Sequence, residues 1–250
     1  MVHKRTMKEL DQSKTSAPSK PRTGGPCKPK TAAERKLRVA AIVKALDQRY
    51  ASVTCALHHR NAWELLVATI LSAQCTDERV NKVTPSLFAK YPTMQDFAAV
   101  NVQELAADVY STGFFNNKAK SIVVAAKKIL TEFEGEIPRD IDQLLTVPGA
   151  ARKTANVVLG TAFGIPSGVV VDTHVARIAQ RLDLTREDAP VKIEQDLMKQ
   201  VPREHWIQFS HQVIHFGREL CAARKPKCGQ CPIEGLCYAK DKALVQSGLV

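Results

Sequence analysis

The chain has 250 residues, enough for one large domain or two small ones, and its 44% hydrophobic and 24% charged content is that of a soluble globular protein. No apolar run is long enough to cross a bilayer, and the basic N-terminus lacks the apolar stretch of a secretory signal, so a cytoplasmic, nucleoid-associated protein is expected. The formal charge is +11, of which +5 remains after residues 1–30 are set aside, so the folded part is itself basic and nucleic acid is its expected partner.

Residues 1–30 hold eight Lys/Arg against two Asp/Glu, with Pro, Ser, Thr and Gly and almost nothing apolar. That composition predicts a disordered basic tail. From Thr31 the pattern turns helical, with Leu37, Ala40, Ala41 and Ala45 on one face. In NAWELLVATILSAQ, Trp63, Leu66, Val67, Ile70 and Leu71 follow helical spacing, and the segment is apolar nearly all round, as a core helix is. Thr76 or Asp77 caps the next helix, which Pro85 should end or kink. One helix is predicted over Met94–Tyr110, closed by Gly113, and another begins at Asn116 or Asn117 and carries Ile122, Ala126 and Ile129. A short helix follows around Ile141–Leu145, and further helices lie after residue 151, after Asp172, and around Lys192–Val201 and Trp206–Leu220. Val169–Val171 is too short and isolated to imply a sheet, so the chain reads as all-α.

The stretch TVPGAARKTANV decides between holding a partner and doing chemistry on it. Pro148 fixes one backbone angle and Gly149 permits a positive φ. The helix that follows leaves its first amides unpaired and aimed outward, where they and the helix dipole attract anions. Helix, hairpin and helix together make a clamp on the DNA backbone that is indifferent to sequence, with Gly149, Ala151 and Arg152 at the contact. An ordinary helical corner is the alternative, and the basic body of the chain weighs against it. Lys153 reads most simply as a solvated phosphate contact. Yet the positive end of the helix and adjacent Arg152 both favour its free amine, the form a nucleophile needs.

In VVVDTHVARIAQRL, Asp172 stands between an apolar run and a helix. A helix cap is its first reading, and a rigidly held cap also suits a catalytic carboxylate. Of seven cysteines, Cys221, Cys228, Cys231 and Cys237 fall in the pattern Cys-x6-Cys-x2-Cys-x5-Cys. The odd total argues against a disulfide framework, and the clustering argues for a metal centre. Spacing alone leaves zinc and an iron–sulfur cluster equally open. The loop between the first two thiols carries Arg224, Lys225 and Lys227, a further phosphate contact. His211 and His215, at i and i+4, imitate a zinc-protease motif, but Gln212 stands where its Glu belongs, so they read as packing or bridging residues.

With LSAQCTD, TGFFNNKA, VPGAARKTANVVLGTAFG, VDTHVARI and the four-cysteine tail in that order, residues 35–240 closely resemble the endonuclease III family of DNA glycosylases. The resemblance implies a helix-hairpin-helix DNA glycosylase fold. A six-helix barrel domain would span residues 55–165, and a helical [4Fe–4S] domain would be built from residues 31–54 and 166–250, with the active site in the cleft between. It makes Lys153 the nucleophile and Asp172 the catalytic carboxylate, and it gives Gln74 and Phe114 the task of filling the gap left by an extruded nucleotide. It implies a bifunctional glycosylase and abasic-site lyase, a monomer, acting on double-stranded DNA with oxidised pyrimidines or abasic sites. Asp77 reads first as a cap, with the pocket wall as the alternative, and His174 is placed along the cleft without a catalytic role.

The chain departs from the family pattern in three places. Val147 replaces a Leu, Ala151 replaces a Gly whose absence should hinder backbone approach to a phosphate, and Phe114 stands where a smaller Leu is usual. Two rivals remain at this level: a non-catalytic DNA-binding module, and an adenine-specific mismatch glycosylase, against which Lys153 argues.

Overall fold

The computed structural model describes residues 27–243; most of the expected tail, residues 1–26, lies outside the described residues. The tail's last four residues are attached to the body. Lys28 Nζ lies 2.8 Å from the Asp183 carboxylate, and the Tyr238 hydroxyl donates to the Cys27 carbonyl at 3.2 Å.

Helix α1 (Ala32–Arg49) opens with a reciprocal cap. The Glu34 amide donates to Thr31 Oγ1, and the Glu34 carboxylate takes the Thr31 amide, each at 3.1 Å. Helix α2 (Ala62–Leu71) is capped by Asn61 and buried at every position from Trp63 onward. Its Glu64 remains inside because Arg60 Nε donates to it at 2.7 Å. Helix α3 (Asp77–Lys90) is capped by Thr76, not Asp77, and does not end at Pro85 but continues to Lys90. Buried Leu87 and Phe88 anchor its second half in the core, which offsets the bond that the proline forfeits.

The single helix expected over Met94–Tyr110 is two, α4 (Met94–Ala99) and α5 (Val102–Asp108), with a 3-10 turn after them. Asn101 breaks the run by accepting the Gln103 amide at 2.8 Å, which begins a new helix. Helix α6 (Phe115–Glu132) starts earlier than the asparagines suggested, so Asn116 and Asn117 lie in its first turn. Its flanking residue is Phe114, in the left-handed region at φ 48°. Helices α7 (Ile141–Leu145), α8 (Arg152–Phe163), α9 (Thr173–Arg181), α10 (Pro190–Gln200) and α11 (Trp206–Glu219) follow the expected pattern. No strand occurs among the described residues, and none of their helices is long and apolar enough to cross a membrane.

The buried side chains fall into two cores. Helices α2 to α8 close around the first, where Leu65, Leu66, Ile122, Ile129 and Leu159 are fully buried. Phe97 sits edge-on to Trp63 there, with ring centroids 5.4 Å apart. Helices α1, α9, α10 and α11 surround the second, with Ile42, Leu46, Val175, Ile193 and Phe216 inside. The chain therefore passes from the second core to the first and back. Val169 on the return path is fully buried, which explains an apolar run with no sheet to join.

Pro85 denies a donor to the Asn81 carbonyl in an otherwise regular helix, at an exposed position. Pro85→Ala restores that bond and should raise the thermal midpoint by about 3 °C or more, read by calorimetry.

Candidate active site

The hairpin between α7 and α8 is a tight turn closed by the Ala150 amide on the Val147 carbonyl at 3.0 Å. Pro148 precedes Gly149, whose φ of 85° fits the third position of a type II turn. A Cβ on Gly149 would meet the Ile70 side chain at 2.9 Å and Ser121 at 3.3 Å, so the turn is pressed onto α2 and α6. Ala151 is the N-cap of α8 with φ −60°, a conformation open to any residue, and no side chain caps the helix. The amides of its first turn are left for an outside acceptor. Lys153 is exposed in that same turn.

Asp172 is the N-cap of α9, as its position suggested. Its Oδ1 accepts the His174 and Val175 amides, both at 2.8 Å, while Oδ2 takes no bond from the protein among the described residues. The carboxylate is thus clamped by one oxygen and presents the other. Lys153 and Asp172 line one cleft of about 590 Å³. Cys55, Thr69, Ser72 and Val157 of the first core's elements form one wall, and Val170, Ser210 and Ile214 of the second core's elements form the other.

Asp77 also lines this cleft, but through an ion pair across it: Arg218 Nη2 lies 2.7 Å from its carboxylate. His174 does not line it. Its ring packs on Gly217, where an added Cβ would meet His174 Nδ1 at 2.9 Å, and Arg177 reaches the same nitrogen at 3.2 Å. Conversely, His211 and His215 both face the cleft, with Arg218. Burial pushes each imidazole below its ordinary pKa, helped by His215 for His211 and by Arg218 for His215. Their i, i+4 spacing was visible in the sequence; the wall they face was not.

Arg152 is not a free phosphate contact. Its Nε donates to Glu194 at 2.7 Å, and the same buried carboxylate takes Asn156 Nδ2 at 2.8 Å. The neighbouring charge offered to Lys153 by the sequence is therefore largely cancelled. Gln74 and Phe114 are exposed, and both are non-glycine residues in the left-handed region, with φ of 53° and 48°. Arg224, Lys225 and Lys227 are exposed and make no ion pair among the described residues.

Cys221, Cys228, Cys231 and Cys237 line a common cavity floored by Ile178, Phe216 and Ile233. Burial pushes the Cys231 thiol up to about 11, and the three neighbouring sulfurs add to the effect. Among the described residues, no three His, Cys, Asp or Glu side chains converge on a point that one ion could hold. Zinc draws four sulfurs to ~2.3 Å from one centre. Four sulfurs that share a cavity without meeting fit a larger cluster with one thiolate on each iron.

The family model of the HhH-GPD superfamily of base excision DNA repair proteins matches residues 67–203, and that of the iron-sulfur binding domain of endonuclease III matches residues 221–237. Endonuclease III of Synechocystis is 54% identical over 81% of this chain and 93% of its own length. Endonuclease III of Bacillus subtilis is 48% identical over 79% of this chain and 90% of its own. The chain belongs to the endonuclease III family. A solved structure of endonuclease III trapped in a covalent intermediate with DNA superimposes with a TM-score of 0.78 at 44% identity, covering 81% of this chain and 95% of that one. This member of the endonuclease III family is a DNA glycosylase and abasic-site lyase, it binds DNA, and its cofactor is a [4Fe–4S] cluster.

The Arg152 contact yields a clear expectation. Arg152→Ala should lower stability by about 1–3 kcal/mol in denaturant, because Glu194 loses a charged donor. It should leave the salt dependence of DNA binding unchanged; a slope reduced by about one unit would make Arg152 a phosphate contact after all.

Proposed function

We propose that this enzyme, as a monomer, removes oxidised pyrimidines from duplex DNA through a covalent bond to Lys153 and then cuts the strand by β-elimination. The observation that carries the reading is the shared cleft, with Lys153 on one wall and Asp172 on the other. The residues assigned to the barrel lobe, 55–165, and to the cluster lobe, 31–54 and 166–250, would grip DNA on both sides of that cleft.

A base inside a duplex is out of reach, so the nucleotide must be flipped, at a cost of a few kcal/mol that is least for damaged pairs. The hairpin amides after Ala151 would hold a backbone phosphate. Gln74 would hydrogen-bond the orphaned partner base, and Phe114 would stack in the gap. The free amine of Lys153 then attacks the sugar C1′ as the glycosidic bond breaks and the base takes its electron pair. The unbound oxygen of Asp172 faces the positive charge that develops on the sugar and assists proton transfer. The nitrogen loses a proton, the C1′–O4′ bond breaks as O4′ takes one, and a Schiff base forms; this acidifies the C2′ proton, and β-elimination expels the 3′ phosphate. Four cysteines would hold the cluster that keeps the loop of Arg224, Lys225 and Lys227 in shape for the backbone.

Borohydride should trap an adduct between the wild-type protein and abasic DNA, and Lys153→Gln should yield none. A Lys153→Gln adduct at wild-type yield refutes the assignment. For Asp172, the substitution Asp172→Asn keeps a good helix cap but removes the charge. Its thermal midpoint should stay close to wild type, while single-turnover excision of thymine glycol falls by about 10²–10⁴-fold. Excision at an unchanged rate would leave Asp172 only its structural role.

A further inference from the structure

Gln74 and Phe114 lie in different loops, whose own side chains make only local bonds: Ser72 Oγ donates to the Thr69 carbonyl at 2.9 Å and Thr112 Oγ1 to the Val109 carbonyl at 2.8 Å. Gln74 follows the end of α2, and Phe114 precedes α6. Both backbones are in the left-handed region, which is strained for these residue types and persists only where the surroundings impose it.

One side chain touches both loops. Lys118, on the first turns of α6, is 5% exposed. Its ammonium donates to the Leu71 carbonyl at 2.8 Å and to the Thr112 carbonyl at 2.7 Å. Leu71 is the last residue of α2, three before Gln74; Thr112 is two before Phe114. The Lys118 backbone amide also donates to the Phe114 carbonyl at 3.1 Å. Among the described residues no carboxylate bonds the ammonium, and burial pushes it below its ordinary pKa. A buried cation without a counter-ion is costly, and an apolar chain of equal length would fill the same space. The two carbonyls it joins are far apart in sequence, so it does more than finish one helix end.

We propose that Lys118 is a positioning residue for nucleotide extrusion: its ammonium fixes the separation of the two loops, so that Gln74 and Phe114 enter the duplex as one rigid pair. The proposal rests on the reading of those two side chains as the groups that fill the vacated space. Lys118 would touch neither DNA nor the reacting atoms. It would act through geometry, where a displacement of about 1 Å far from the chemistry can cost up to about a hundredfold.

The test is Lys118→Met, which keeps the length and removes the donors. Strand cutting and borohydride trapping on a single-stranded abasic oligonucleotide, which has no partner strand, should stay within about twofold of wild type, while single-turnover excision from a thymine glycol duplex falls about tenfold. Lys118→Arg, which keeps the donors, should recover most of that loss. In a Gln74→Ala, Phe114→Ala background the same Lys118→Met change should cost less than about twofold, because nothing remains to be positioned. An undiminished cost in that background overturns the proposal, as does an equal loss on single-stranded DNA. If the Gln74→Ala, Phe114→Ala protein itself excises at the wild-type rate, the gap-filling reading fails and the proposal falls with it. That outcome is separate from a failure of Lys118 alone. Should Lys118→Met not fold, Lys118→Gln, with one reachable carbonyl, carries the same cycle and is judged by the same outcomes.

Discussion

The buried carboxylate of Glu194 ties together the two halves of the site. It sits on α10, in the second core, and accepts from Arg152 and Asn156 of α8, in the first. Asn156 in turn accepts from Ser167 Oγ at 2.8 Å. Gly168 passes so close that a Cβ there would lie 2.0 Å from the carboxylate. One acid therefore fixes the first turn of α8, which carries Lys153, against the segment that leads to Asp172. Such a group is strongly held because removing any partner leaves a buried polar atom unpaired. The ion pair of Asp77 and Arg218 makes a second tie across the cleft, nearer solvent and correspondingly weaker.

The ends of α8 and α9 divide the work of the cleft between them. Both helices present positive N-termini. At α9 the vacancy is filled from within, by Asp172 on its own amides, which holds that carboxylate still. At α8 nothing fills it, because Ala151 offers no acceptor. The first end is closed and rigid; the second is open to an anion from outside. The methyl of Ala151, which the sequence suggested would hinder a phosphate, stands on a backbone of ordinary negative φ, so the amides are not displaced by strain.

Sequence periodicity made the helix faces legible where burial was complete, as in α2, but in α1 the face of Leu37, Ala40 and Ala41 is exposed and Val39, Ile42, Val43 and Leu46 are the buried side. The cap at Asp172 was legible, and Thr76 was one of two candidates for α3, because a cap needs only its own next few residues. The cysteine spacing announced a metal centre but not its size, which depends on how the four sulfurs are spread in space. What stayed hidden depended on distant partners. Arg152 looked like a free cation because Glu194 is 42 residues away, and Asp77 looked like a cap because Arg218 is 141 residues away. His211 and His215 were assigned to packing for the same reason: helical spacing shows that two residues share a face and is silent on what the face meets. Asn101 and Phe114 overrode propensity locally, the first by breaking one expected helix into two and the second by taking a backbone angle that most residues avoid.

The charges in the cleft bear on how such a protein separates holding DNA from reading it. By formal charge, Lys153 and Arg218 face Asp77 and Asp172 there, and burial holds the two imidazoles below their ordinary pKa. The pocket carries little net charge, although the chain as a whole is strongly basic. In the proposed reading, attraction to the phosphate backbone falls to groups outside it, the open end of α8 and the exposed loop of Arg224, Lys225 and Lys227. In the same proposed reading, a pocket of little net charge does not compete for phosphate, so a flipped base, which is itself uncharged, would meet hydrogen-bonding groups and shape rather than a field.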